Sequence, residues 1–163
     1  MVFSRYTVDD LADDFVQWAW RYGYFRVDGP SQSYYVYLVH TSSPISSNHF
    51  RLRNVQLTSV ATHIQDHDAM RGDVPLLLLG DLNVSPWSYF YKKLVDTWPL
   101  AQGIDMHNIS RRFPILFTWW LEWLPLFWSH IDHVFARDVS MVKNLEQVIV
   151  PGSDHRGYYF VLE

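Results

Sequence analysis

Pro75-Leu76-Leu77-Leu78-Leu79-Gly80-Asp81-Leu82-Asn83 decides the fold. Four consecutive leucines, entered by a proline and left at a glycine, read as a strand buried on both faces. An acid and an amide follow where that strand leaves the core. On an extended backbone, residues two apart point the same way. Asp81 and Asn83 then present one anion and one neutral amide to a single spot at the sheet's carboxyl edge, the usual place for a site in open α/β folds. The plainer alternative is that both are turn residues closing a strand.

The chain has 163 residues, enough for one domain with one core. Hydrophobic residues make up 48% and aromatic residues 17%, with eight Trp, which suits a globular chain rather than a disordered one. The formal net charge of −4 gives no global basic field, so a nucleic-acid reading has to rest on a local site. Cysteine is absent, which excludes disulfides and thiolate metal sites. No apolar run reaches the roughly 18 residues of a spanning helix. The amino terminus lacks the basic-then-apolar order of a signal peptide.

Outward from the leucine run, the pattern alternates strands and helices. Met1 to Tyr6 reads as the end of a strand, so the chain looks cut at its start. Thr7, with Asp9 and Asp10 behind it, suits a helix cap. Leu11, Phe15, Trp18 and Tyr22 share a helical face, although the aromatic run from Phe15 to Phe25 suits a strand as well. A turn at Gly29-Pro30-Ser31-Gln32-Ser33 separates strands at Tyr24–Val27 and Tyr34–Val39. His40 sits where the second of these meets a polar loop. Ser47 to about His67 has Leu52, Val55, Val60 and Ile64 spaced for a surface helix. Arg71-Gly72-Asp73 reads as loop.

After Asn83, Ser85-Pro86 starts a helix, with Phe90, Leu94 and Trp98 on its buried side and an end near Asp96. Gly103 to Arg112 reads as loop. The segment from Phe113 to Trp128 is very rich in Trp and Leu yet carries Glu122 and two prolines. It suits core, a partner surface, or a wedge in lipid head groups. His130 to Phe135 reads as a strand on which His130 and Asp132 point one way. Strands are also expected at Val148–Val150 and Tyr158–Leu162, with a turn at Pro151–Gly157 carrying Asp154 and His155.

Four strand ends therefore carry His40, Asp81 with Asn83, Asp132, and Asp154 with His155. The chemistry they suit is phosphate-ester hydrolysis. Carboxylates hold Mg²⁺ or Mn²⁺, which neutralises charge on phosphoryl oxygens. An imidazole oriented by a carboxylate takes a proton from water. Asn holds a phosphoryl oxygen or orients the nucleophile without adding charge. Zinc is disfavoured, because the His residues lack the close pairing of common zinc motifs.

Ser4-Arg5-Tyr6, His40 to Pro44, Arg53-Asn54-Val55-Gln56, Gly80-Asp81-Leu82-Asn83, Thr118-Trp119, Ile131 to Phe135 and Ser153-Asp154-His155, in this order, resemble the endonuclease/exonuclease/phosphatase family. That is the superfamily of DNase I-like metal-dependent phosphoesterases. The likeness runs from Phe3 to Leu162 and is nearest to bacterial members, often membrane-associated. It implies an α/β (α+β) fold, a DNase I-like β-sandwich flanked by helices, with residues 1–163 forming one partial, carboxyl-terminal domain. It also implies in-line attack of water on a P–O bond. By the resemblance, Asp81 and Asn83 bind phosphate, attacking water and metal. His155 is the active-site imidazole, Asp132 the acid that pairs with it, Asp154 a metal-linked carboxylate, and His40 a contact to the scissile phosphate.

The family's Asn strand and its Gln-Glu strand, whose Glu is the main metal ligand, do not precede Ser4. The resemblance thus implies a truncated domain, weak Mg²⁺ or Mn²⁺ affinity, and exposed strand edges that favour a homo-oligomer. His130 stands where many members carry Arg. The expected partner is a phosphate-ester substrate, with nucleic acid left open and a membrane surface possible through 113–128. The alternative function is a non-catalytic relative that binds a ligand, a partner or a lipid surface.

Overall fold

The computed structural model describes residues 6–10, 22–71, 74–97, 106–112, 117–120 and 128–163. Its strands are β1 (Val8–Asp10), β2 (Tyr22–Asp28), β3 (Ser33–His40), β4 (Leu76–Asp81), β5 (His107–Asn108), β6 (Trp119–Trp120), β7 (Trp128–Ser129), β8 (Asp132–Ala136), β9 (Val142–Ile149) and β10 (Arg156–Leu162). Among the described residues two α-helices join them, α1 (Ser47–Arg71) between β3 and β4, and α2 (Tyr89–Thr97) after β4. Six strands form a mixed sheet in the order β1-β2-β3-β4-β8-β5, while β9–β10 and β6–β7 form two-stranded ladders. Only β3–β4 is parallel among the pairs of the large sheet. A parallel pair needs a crossover, and α1 supplies it.

The leucine run is buried on both faces, as its composition predicts. Leu76 and Leu78 join Tyr24, Tyr37, Val39, Leu57, Val60 and Ile64 in a core beneath α1. Leu77 faces the opposite way, with Tyr34, Val134, Ala136, Met141 and Val142, against side chains of β9 and β10 that include Leu145, Tyr158 and Phe160. Each fully buried leucine contributes about 1.5–3 kcal/mol relative to exposure. The molecule is thus a sheet with helices on one face and a hairpin on the other, the α/β architecture of DNase I-like folds.

Several local expectations are corrected. Val8–Asp10 is a strand antiparallel to β2, not a helix start, because pairing with β2 overrides the local capping signal. Leu52 and Val55 are exposed, and the core face of α1 instead runs through Leu57, Val60, Ala61 and Ile64. Helix α2 starts three residues later than Ser85-Pro86 implies. Its cap is Ser88, whose Oγ accepts the Tyr91 N–H at 3.0 Å, while Ser85 closes a turn onto Ser88. Residues 107–112 are a short strand and a 3₁₀ turn rather than loop. Leu11, Phe15, Trp18, Trp98 and most of 113–127 lie outside the described residues.

Candidate active site

The site is assembled by register. His40, the last residue of β3, pairs with Asp81, the last of β4, and Asp81 pairs with Asp132, the first of β8. One row across three strands therefore brings these side chains to one edge of the sheet. His155 arrives from the turn before β10, held by a bridge to Trp119. Its Nδ1 lies 2.9 Å from Asp132 Oδ2. His40 Nε2 lies 3.6 Å from Asp81 Oδ2. The carboxylates of Asp81 and Asp132 are mostly covered, at 14% and 15% exposure, whereas His40 is open at 59%.

Asp81 and Asn83 do meet, but not by strand alternation. The strand ends at Asp81, and Asn83 turns the chain with a left-handed φ of 48°. Its backbone N–H then donates to Asp81 Oδ1 at 2.8 Å, and its Nδ2 donates to Asp81 Oδ2 and to the Thr41 carbonyl, each at 3.0 Å. With both amide protons so committed, the atom Asn83 has left to offer is its carbonyl oxygen.

Burial and then the neighbouring Asp132 carboxylate push Asp81 up to about 6, against the opposing pull of the Asn83 N–H groups and of His155. The hydrogen bond with Asp132 is the main cause that raises His155 above its usual range, and its partial burial works the other way. Ligand atoms of Asp81, Asp132 and His155 all lie within 4.8 Å of one another. A carboxyl held up by burial and by a second carboxylate beside it marks a place short of positive charge. Hard oxygens in that situation fit a divalent cation such as Mg²⁺ or Mn²⁺. Asp154 stands beside this trio, exposed, with Oδ2 accepting the Trp119 indole N–H at 2.9 Å.

His130 does not share a direction with Asp132. It precedes the strand, is buried, and packs on His133 with ring centroids 5.0 Å apart. The sequence does hold a close His pair, outside the candidate site. His63 and His67 lie one turn apart on α1, with centroids 4.1 Å apart. Both rings pack against Tyr24 in the core beneath α1, remote in sequence from the strand ends that form the site.

Sequence reasoning gave no role to Thr41, Arg53, Thr118 or His133, all buried beneath the site. Thr118 Oγ1 accepts both the Ile131 and the Asp132 N–H at 2.9 Å, and its carbonyl accepts the Arg156 N–H at 2.7 Å. It ties the strand carrying Asp132 to the turn carrying His155. The only sequence signal for Arg53 and Thr118 was their place in the motifs of the resemblance.

A sequence model of the Endonuclease/Exonuclease/phosphatase family matches residues 1–155. The chain belongs to the endonuclease/exonuclease/phosphatase family. Solved structures with its fold include the 3′ phosphatase NExo from Neisseria bound to a product DNA hairpin, 18% identical with a TM-score of 0.69, over 98% of this chain and 73% of that one. The endonuclease domain of TRAS1, a telomere-specific non-LTR retrotransposon, is 14% identical with a TM-score of 0.71, over 99% of this chain and 71% of that one. Truncated TDP2 from Caenorhabditis elegans is 16% identical with a TM-score of 0.62, over 97% and 65%. At such identities the likeness is one of fold. Comparison with curated protein sequences gave no match. Endonuclease/exonuclease/phosphatase members are in general divalent-metal-dependent phosphoesterases, and the donor set at the strand ends is of that chemical type.

Proposed function

We propose that this site hydrolyses a phosphate ester with a divalent cation, by in-line attack of water on phosphorus. The observation that carries the reading is the imidazole of His155 held by Asp132 beside the carboxylate of Asp81 at one sheet edge. With Nδ1 turned to Asp132, Nε2 is the nitrogen left for chemistry. The carboxylate favours the tautomer that carries its proton on Nδ1, so Nε2 keeps a lone pair for a proton from water. Asp132 then stabilises the imidazolium, which passes its proton to solvent, while the departing ester oxygen, on the far side of phosphorus from the attacking water, is protonated from solvent.

Asp81 and Asp132 would hold the cation, with Asn83 Oδ1 as a further oxygen, whereas Asp154 lies outside the close cluster and accepts from Trp119. When bound, the cation supplies charge neutralisation at the phosphoryl oxygens. In this reading His40, open to solvent beside Asp81, would meet a phosphoryl oxygen of the substrate. Hydrolysis of bis-p-nitrophenyl phosphate in Mg²⁺ or Mn²⁺ tests the reading. The expected result is turnover that EDTA abolishes and that falls by about 10²–10⁴ in His155→Ala and Asp81→Ala. A folded protein inert in both metals would instead favour the non-catalytic, ligand-binding reading.

A further inference from the structure

From Asp81 to Val84 the backbone presents four carbonyls in succession, and each has its own donor. The Asp81 carbonyl accepts the Thr41 N–H at 3.0 Å. The Leu82 carbonyl accepts the Thr41 hydroxyl at 2.7 Å, the Asn83 carbonyl accepts Arg53 Nη1 at 2.7 Å, and the Val84 carbonyl faces His133 Nε2 at 2.7 Å. These three side chains come from the end of β3, from α1 and from β8, and all are buried. The tautomer of His133 follows from its other partner. Asn108 Oδ1 accepts from the Ser110 N–H and hydroxyl, so its Nδ2 faces His133 Nδ1 at 3.0 Å. Nδ1 is therefore the acceptor, and Nε2 carries the proton given to Val84.

The turn needs this hold. Asn83 adopts a left-handed φ, which Asn tolerates better than most L-residues but still at a cost that contacts around the turn offset. That same φ turns its N–H groups onto Asp81.

We propose that Thr41, Arg53 and His133 are positioning residues: gripping the carbonyls of Leu82, Asn83 and Val84, they fix the turn that holds Asn83 against Asp81. Their purpose rests on the phosphoesterase reading, but their geometric effect is measurable without it. Thr41 gives the cleanest test, because Val replaces its hydroxyl at nearly constant shape and Ser restores the hydroxyl.

The side-chain amide of Asn83, observed by ¹⁵N NMR, is the readout independent of activity. Thr41→Val is expected to move that resonance pair while leaving most of the spectrum in place, and Thr41→Ser to return it. With bis-p-nitrophenyl phosphate, kcat is expected to fall about 10- to 100-fold in Thr41→Val with KM changed about twofold or less, and to recover in Thr41→Ser. If Thr41→Val does not fold, Thr41→Ala removes the same hydroxyl without adding bulk. An Asn83 amide unmoved by loss of the hydroxyl overturns the proposal. So does Thr41→Ser behaving like Thr41→Val. A wild-type protein without turnover overturns the phosphoesterase reading alone, and the NMR comparison still decides the positioning.

Discussion

Asp81 and Asp132 face each other across the β4–β8 ladder as direct register partners. Like charges opposite one another destabilise a sheet, so this pair is a cost the fold carries at the edge that forms the candidate site. Folding raises Asp81 from 3.8 to about 6. Ionising it in the folded state therefore costs about 3 kcal/mol, a cost absent below pH 3.8 and fully present above about pH 6.

His155 acts in the same direction. Its pKa is raised above 6.5, so its stabilising charge is fully present below 6.5 and is lost as pH rises through the raised value. Asp81 makes the metal-free protein less stable as pH climbs from 3.8 to about 6, and His155 does so as pH climbs from 6.5 through its raised value. Melting curves in EDTA across those ranges are expected to show a falling Tm. Millimolar Mg²⁺ or Mn²⁺ should restore it, most strongly at the alkaline end, where no proton competes for Asp81. A Tm that rises with pH in EDTA would contradict this account.

Asp132→Asn separates orientation from charge. The hydrogen bond with Asp132 is the largest cause of the raised His155 value, so the variant is expected to lower it. An imidazole ¹H NMR titration measures that directly. If neutral His155 takes the proton from water, the rising limb of the pH–rate profile moves to lower pH in step with the titration. The maximal rate falls by about 10²–10⁴, because the imidazolium loses its stabilising partner. A titration that moves without the rate profile would remove His155 from the proton transfer.

How much of this was legible in the sequence depended on whether a pattern or a single dihedral carried it. The leucine run at 76–79 was readable because burial on both faces leaves no alternation to misread. His40, Asp81, Asp132 and His155 were readable as polar residues where strands leave the core, and register then joins them. The contact between Asp81 and Asn83 was expected for the wrong reason, since a left-handed Asn83 makes it and periodicity cannot show that. Val8–Asp10 became a strand through a partner distant in sequence, which local propensity does not see. Thr118 and His133 showed only as members of the resemblance motifs; their roles were illegible because their value lies in backbone groups they satisfy, and those groups have no letter in the sequence.

Gly80 is required by its neighbour rather than by flexibility. Its φ is 130°, and a Cβ built there runs into the Val39 backbone carbonyl of the adjoining strand. Backbone cannot yield as a side chain would. Gly80→Ala is expected to cost about 3 kcal/mol or more, and urea unfolding monitored by Trp fluorescence measures it. The strain falls next to Asp81, so a well-folded Gly80→Ala protein of near-native stability would show that β3 and β4 separate more easily than their ladder implies.

Thr118→Val tests whether one hydroxyl holds the two halves of the acid–imidazole pair together. The substitution keeps the shape of a fully buried side chain but leaves the Ile131 and Asp132 N–H groups without their shared acceptor. Two such losses at about 1–2 kcal/mol each predict destabilisation of about 2–4 kcal/mol by urea titration. Thr118→Ser keeps the oxygen and should stay within about 1 kcal/mol of the parent. The Asp132 backbone is anchored by that oxygen, so the variant should also loosen the hydrogen bond to His155. Its imidazole pKa should then fall in Thr118→Val at a temperature where the protein is still folded, and hold in Thr118→Ser. Loss of stability with an unchanged His155 titration would make Thr118 a staple of the fold alone.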